Sequence, residues 1–275
     1  MERRKAMKIA AGAIIGGGAG IFTLTNAFKP DLMPREESKK IEFKNPETNW
    51  AYHSLDPVVT AELAYKYYDS GSCMYATCKS IISQLAEKFG EPYSSFPVHM
   101  MKYGHGGVGG FGTICGALNA AAAIFGLFIT DKTAQDNLIT GILRWYEQSE
   151  LPVFKPQTPI KDFTPPPIIS NSTLCHASNT NWIKGTGYKM NSEERKERCR
   201  RLTSDVVHHL VVVLNAYFNN TYVTGTSNSD PVRECMTCHG DKGKIKNTST
   251  RMTCDPCHSE SIGHKVFADI HYRLL

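Results

Sequence analysis

Two stretches near the end of the chain repeat one arrangement, Cys235-Met236-Thr237-Cys238-His239 and Cys254-Asp255-Pro256-Cys257-His258. Two intervening residues let both thiols reach the two vinyl groups of a single haem, and the histidine that follows turns its imidazole under the iron. Each stretch therefore reads as a covalent haem c site. Cys235, Cys238, Cys254 and Cys257 form the thioethers, and His239 and His258 are the proximal iron ligands. The same four cysteines, two pairs with fifteen residues between them, also satisfy a zinc-ribbon spacing. A ribbon of four thiolates has no use for a histidine after each pair, whereas haem attachment requires it both times.

The sixth position of each iron decides whether it passes electrons or binds small ligands. Eight histidines remain for it. His264 and His271 lie downstream in the same segment, and His53 could reach across from the other end of the chain. A histidine six residues after His258 would have to wrap a tight loop around the edge of its own porphyrin. His264 is therefore expected to serve a neighbouring haem or a second subunit. His208 and His209, in an otherwise apolar helix, read either as further candidates for the sixth position or as a pair of which one packs in the core and the other faces water. The surplus of histidine favours bis-histidine, low-potential iron.

Cys73, Cys78, Cys115, Cys175 and Cys199 are left over, an odd number that simple disulfide pairing does not use up. Cys115 follows a glycine loop that runs from Gly104 to Gly112. Thiolates scattered over converging elements, with glycines that let backbone approach the sulfurs, suit an iron-sulfur site. Two buried thiols plus disulfides are the alternative. The spacing Gly104-x-Gly106-x-x-Gly109 also fits a dinucleotide fingerprint, but no strand pattern precedes it, so the loop reads as close packing.

What must position these residues is mainly helical. Residues 1–27 read as an export signal: a charged stretch at 2–8, an apolar, glycine-rich stretch at 9–24, and Thr25-Asn26-Ala27 as the cleavage site. Arg3-Arg4 gives it a twin-arginine character. Gly12, Gly16, Gly17, Gly18 and Gly20 weaken the alternative of a retained anchor, so no stable membrane span is expected after cleavage. The formal net charge is +5, and the first eight residues hold about three of those charges (Arg3, Arg4, Lys5 and Lys8 against Glu2). No basic stripe of the kind nucleic acid needs is present. Residues 28–50 are polar and proline-punctuated and read as an extended arm. Within 51–220, helical patterning covers 56–68, 73–89, 113–128, 133–145 and about 192–217, and the alanine-rich helix is expected at the centre. Six prolines between Pro152 and Pro167 mark a long connection. Residues 221–275 form a short, irregular segment too poor in aliphatics to order itself, and two haems would organise it.

The order Cys73, Cys115 opening an alanine-rich helix after a glycine loop, Cys175, Cys199 resembles the C-GCAxxG-C-C family of small redox proteins. Around Cys115, Ile114, Gly116 and Asn119 stand where that pattern carries Gly, Ala and Gly. Joined to two haem attachment sequences behind an export signal, the mature chain resembles the split-Soret cytochromes c over essentially its full length. The resemblance implies a homodimer with two bis-histidine haems per subunit, gathered at the interface, and an iron-sulfur centre held by Cys73, Cys115, Cys175 and Cys199. The expected function is electron transfer with redox partners in the bacterial periplasm. A haem or iron-sulfur reductase, or a redox sensor acting on a small molecule, is the alternative. The carrier is favoured because no acid-base pair or nucleophile stands out.

Overall fold

The computed structural model describes residues 50–223 and 230–254. The mainly α fold expected from the sequence is what these residues form. Helix α1 spans Pro57–Phe89 and starts cleanly, with proline at its first position and the Asp56 carboxylate accepting from the Val58 and Val59 N–H groups at 2.8 and 3.0 Å. It breaks inside: Gly71 is extended and Ser72 has φ 65°, so two helical lengths meet there. This is the interruption that the patterning placed between residues 68 and 73. Gly90, at φ 67°, ends the helix with its N–H on the Ala86 carbonyl. Two 3-10 turns, Tyr93–Ser95 and Val98–Tyr103, lead into the glycine loop.

Helix α2 is Gly116–Phe128 and helix α3 is Lys132–Gln148, the latter capped by Asp131, whose side chain accepts from the Ala134 N–H. The proline-rich connection is closed at its ends by a two-residue antiparallel pair, β1 (Glu150–Leu151) with β2 (Ile168–Ile169). Between those ends its backbone N–H groups dock on helix side chains: Val153 on Asp205, Gln157 on Glu62 and Ile160 on the Tyr65 hydroxyl. Helix α4, Cys175–Thr186, has no counterpart in the sequence reading. Its one fully buried large side chain, Trp182, donates to the Pro166 carbonyl at 3.0 Å, and the adjacent Ile183 is only partly buried. One anchor leaves little periodicity to read. Helix α5 is Glu193–Phe218 with Ser192 as its cap, and α6 is Asp230–His239.

The core lies where α5 packs along α1, with α2 against both. The alanine-rich α2 is therefore not the central helix: Ala123 and Gly126 face outward, while Val206, Val207, Leu210, Val211 and Leu214 of α5 are enclosed. One polar network crosses this core. Glu197, fully buried, accepts from Tyr65 at 2.8 Å, from Arg201 Nε at 2.7 Å and from Arg200, which also grips Asp69 through two bonds of 3.0 Å. A buried carboxylate with several donors is the arrangement that lets a charge stay in low dielectric. Among the described residues, no helix is long and apolar enough to cross a membrane.

Candidate functional site

The break in α1 places Cys73 at the start of a fresh helical length. Cys115 is the cap residue of α2, Cys175 is the first residue of α4, and Cys199 lies one and a half turns into α5. Cys115 and Cys175 are brought side by side by an isolated bridge between Ile114 and Leu174. There the Cys115 N–H bonds to the Thr173 carbonyl at 2.9 Å and the Cys175 N–H to the Thr113 carbonyl at 2.7 Å. All four thiols line one cavity of about 300 Å³, together with Tyr68, Tyr146, Asn179, Arg195 and Arg198. The fifth cysteine, Cys78, is buried elsewhere in the core, where burial pushes its thiol up to about 12.

The cavity is built to hold negative charge. Three of its thiols sit at helix starts, where unpaired N–H groups and the helix dipole favour anions. Cys115 is held down to about 6. The hydrogen bond from Cys73 does most of this, against the effect of burial, and the Ala117 and Leu118 N–H groups and Arg198 add to it. Cys73 is correspondingly raised, as the donor to Cys115 and as a buried group. Cys175 is pushed up to about 12, first by burial and then by the negative charge of Cys115 and Cys199. Asn179 links two of the sulfurs, donating to Cys175 Sγ at 3.3 Å and accepting from Cys199 Sγ at 3.4 Å. Arg195 and Arg198 reach Cys199 Sγ at 4.0 and 3.9 Å.

Arg198 bears most directly on what the cavity holds. It is 1% exposed, donates to Ser178 Oγ at 2.7 Å, and its Nε has no hydrogen-bond partner among the described residues. A buried guanidinium needs a facing anion, and four thiolates with iron and sulfide supply one. Among the described residues, no three Cys, His, Asp or Glu side chains close around one point as a single-ion site does. The sulfurs stand around a volume instead, and their soft donor chemistry suits an iron-sulfur group.

Glycine matters at two places here. A Cβ at Gly112 would stand 2.8 Å from His176 Cβ, and φ 70° there already disfavours a side chain. At Gly116 a Cβ would lie 2.0 Å from the Gly104 carbonyl oxygen and 2.7 Å from Cys73 Sγ. The departure from alanine at this position is therefore what lets Cys73 close on Cys115. The sequence reading found the four cysteines and missed Arg195, Arg198 and Asn179. The run Arg195-x-x-Arg198-Cys199 on one helix was the available signal.

The first Cys-x-x-Cys-His sequence lies at the end of α6. Cys235, Cys238 and His239, at i, i+3 and i+4, share one helix face, so both thiols and the imidazole point the same way. The chain then folds back over the end of this helix, with Ile245 N–H on the Cys238 carbonyl at 2.9 Å and the N–H groups of Asn247 and Thr248 on the His239 carbonyl at 3.1 Å. Next it docks on α3. Arg251 donates to Thr140 Oγ1 at 2.9 Å, Arg144 donates to Thr253 Oγ1 at 3.1 Å and to the Arg251 carbonyl, and Thr253 donates to Glu147 at 3.2 Å. Cys254 is the last described residue. Cys257, His258, His264 and His271 lie outside the described residues. His53 packs face to face on Phe89, ring centroids 3.7 Å apart, with Tyr93 edge-on. His209 stacks on Trp145 at 4.0 Å while His208 is exposed, the second of the two readings of that pair.

The sequence pattern of the family described as "Putative redox-active protein (C_GCAxxG_C_C)" matches residues 75–213. That span holds Cys78, Cys115, Cys175 and Cys199 and begins just after Cys73, yet it is Cys73 and not Cys78 that lines the cavity. Split-Soret cytochrome c of Desulfovibrio desulfuricans (strain ATCC 27774) is 35% identical over 221 residues, 76% of this chain and 77% of that protein. A solved structure, described as a novel iron centre in the split-Soret cytochrome c from that organism, aligns with a TM-score of 0.72 at 33% identity. It covers 76% of this chain and 90% of the other.

Proposed function

This chain belongs to the C_GCAxxG_C_C family of redox-active proteins, and from that membership we propose that it is an exported dihaem c-type electron carrier with an additional iron-sulfur centre. The observation that carries the proposal is the convergence of four thiols from four separate elements on one cavity backed by the buried Arg198. Cys73, Cys115, Cys175 and Cys199 hold the iron-sulfur group. Arg195 and Arg198 offset its charge, and the enclosing Tyr68 and Tyr146 keep water from its inner side. Cys235 and Cys238 bind one haem with His239 under its iron, and Cys254, Cys257 and His258 bind the second. Each bound group supplies a one-electron couple.

His264, His271 and His53 are the candidates for the distal positions, some of them across the interface of a homodimer. The protein works in the periplasm, delivered by the signal at 1–27, and exchanges electrons with redox partners there.

Metal analysis of the purified, exported protein tests this. Two covalent haems per chain and iron in excess of haem iron are expected, and Cys115→Ser should abolish the excess while leaving the haem count at two. A colourless chain, zinc in place of iron, or total iron equal to haem iron in the unsubstituted protein would overturn it.

A further inference from the structure

A proximal histidine has two nitrogens, and what the outer one bonds to governs the inner one's basicity towards the metal. In this chain the outer partner of His239 is a side chain. His239 Nδ1 and Asn247 Oδ1 are 2.8 Å apart, and an amide oxygen can only accept, so this contact favours the tautomer with the proton on Nδ1, the one in which Nε2 is the nitrogen that can ligate a metal.

Asn247 is not there by accident of rotamer. The loop between it and His239 is fixed by main-chain bonds: Gly240 N–H to the Met236 carbonyl, Gly243 N–H to the Gly240 carbonyl, and Ile245 N–H to the Cys238 carbonyl. Asn247's own N–H bonds to the carbonyl of the histidine that its side chain accepts from, so one residue holds His239 at two points. Gly243 makes this fold-back possible, since a Cβ there would stand 2.2 Å from the Cys238 carbonyl oxygen. The bonds to the Cys238 and His239 carbonyls also satisfy acceptors that the end of α6 would otherwise leave open.

We infer that Asn247 is the positioning residue of the first haem, fixing the tautomer and ring orientation of His239 and setting the reduction potential of that iron. This rests on His239 being a haem ligand, as proposed above. A neutral amide acceptor gives the imidazole moderate donor strength. A carboxylate in its place draws the Nδ1 proton harder, makes Nε2 a stronger ligand to ferric iron and lowers the potential. Loss of the acceptor acts in the opposite sense.

The experiment uses the full, haem-loaded chain as Asn247→Asp, Asn247→Leu and Thr248→Asp, with covalent haem counted and both midpoint potentials titrated. Asn247→Asp should lower one of the two potentials by about a tenfold change in the reduction constant, which for a one-electron couple is about 59 mV. Asn247→Leu should raise the same potential, and the other haem should stay where it was. Thr248→Asp, which adds the same charge one residue away, should shift it less. The inference fails if haem stays at two per chain and neither Asn247 variant moves a potential, or if Thr248→Asp matches Asn247→Asp. Absence of covalent haem from the unsubstituted chain would instead bring down the haem assignment itself.

Discussion

In the helical bundle, Leu118, Phe125, Phe128, Val206 and Leu210 have essentially no surface left to water, and Trp182 is buried to the same degree. In residues 230–254, Val232 is the apolar side chain enclosed to the same degree among the described residues. The second region is shaped instead by carbonyls capped at the end of α6 and by polar bonds to α3. Hydrophobic enclosure is worth roughly 1.5–3 kcal/mol per large side chain, whereas each exchanged hydrogen bond nets about 1 kcal/mol. The difference teaches how each site meets its cofactor. The bundle surrounds its four sulfurs with packed helices, while residues 235–239 offer one helix face of two thiols and an imidazole that the proposed porphyrin would complete.

The comparison breaks most readily in the bundle. Phe125→Ala leaves a void among α1, α2 and α5 and should cost about 3–5 kcal/mol, read as a fall in the urea midpoint. A loss below about 1 kcal/mol would mean that apolar packing is not what holds the bundle, and the contrast with the tail would go with it.

A second, smaller effect follows from titratable groups inside the bundle. Burial raises Asp205 to about 7, against the Val153 and Phe154 N–H groups and Arg201 that favour its charge. Burial, helped by His208, lowers His209 to about 4. The signs are opposite. Asp205, raised above its unfolded value, contributes stability that is present in acid and lost as pH rises towards 7. His209, lowered below its unfolded value, contributes stability that is present above about 6.5 and lost as pH falls towards 4. Asp205→Asn should therefore raise stability by about 1–2 kcal/mol at pH 8 and steepen the acid limb of a melting-temperature profile, because the stability that Asp205 gains as pH falls below 7 no longer offsets the His209 loss. His209→Phe, which keeps the stack on Trp145, should flatten that acid limb. Parallel profiles for all three proteins would remove both groups from the account.

The same division explains what the sequence could and could not disclose. The long helices were legible because α1, α3 and α5 carry apolar residues at helical spacing between recognisable caps such as Asp56, Asp131 and Ser192. The break at residues 71–72 showed as an interruption of that pattern. Helix α4 was not legible, since it is held by Trp182 and by polar contacts of Ser178 and Asn179, which leave no apolar periodicity, and the Pro166 carbonyl that Trp182 meets belongs to a stretch that carries none either. In the site, cysteines announce themselves by residue type, but the pairing of Cys115 with Cys175 depends on a two-residue bridge, Ile114 to Leu174, which no local pattern encodes. The exclusion of Cys78 is equally three-dimensional: it lies one turn and a half beyond Cys73 on the same helix, and only the packing of α1 shows which of the two faces the cavity.

The smallest expected effect sharpens the contrast most, because it asks whether the tail unfolds with the bundle or apart from it. Thr253 Oγ1 accepts from Arg144 and donates to Glu147, and Arg144 also pairs with Glu147 at 2.7 Å, so the hydroxyl closes a three-membered polar contact between the tail and α3. Thr253→Val keeps the shape and deletes the hydroxyl, while the Arg144–Glu147 pair and the Arg251 bond to Thr140 remain. About 0.5–1.5 kcal/mol of local stability should be lost, seen as a roughly two- to tenfold rise in amide exchange at residues 250–254. The urea midpoint of the bundle should not move, because no enclosed apolar surface changes. If it falls by the same free energy that the exchange rates report, segment and bundle form one cooperative unit, and the tail is held by the core after all.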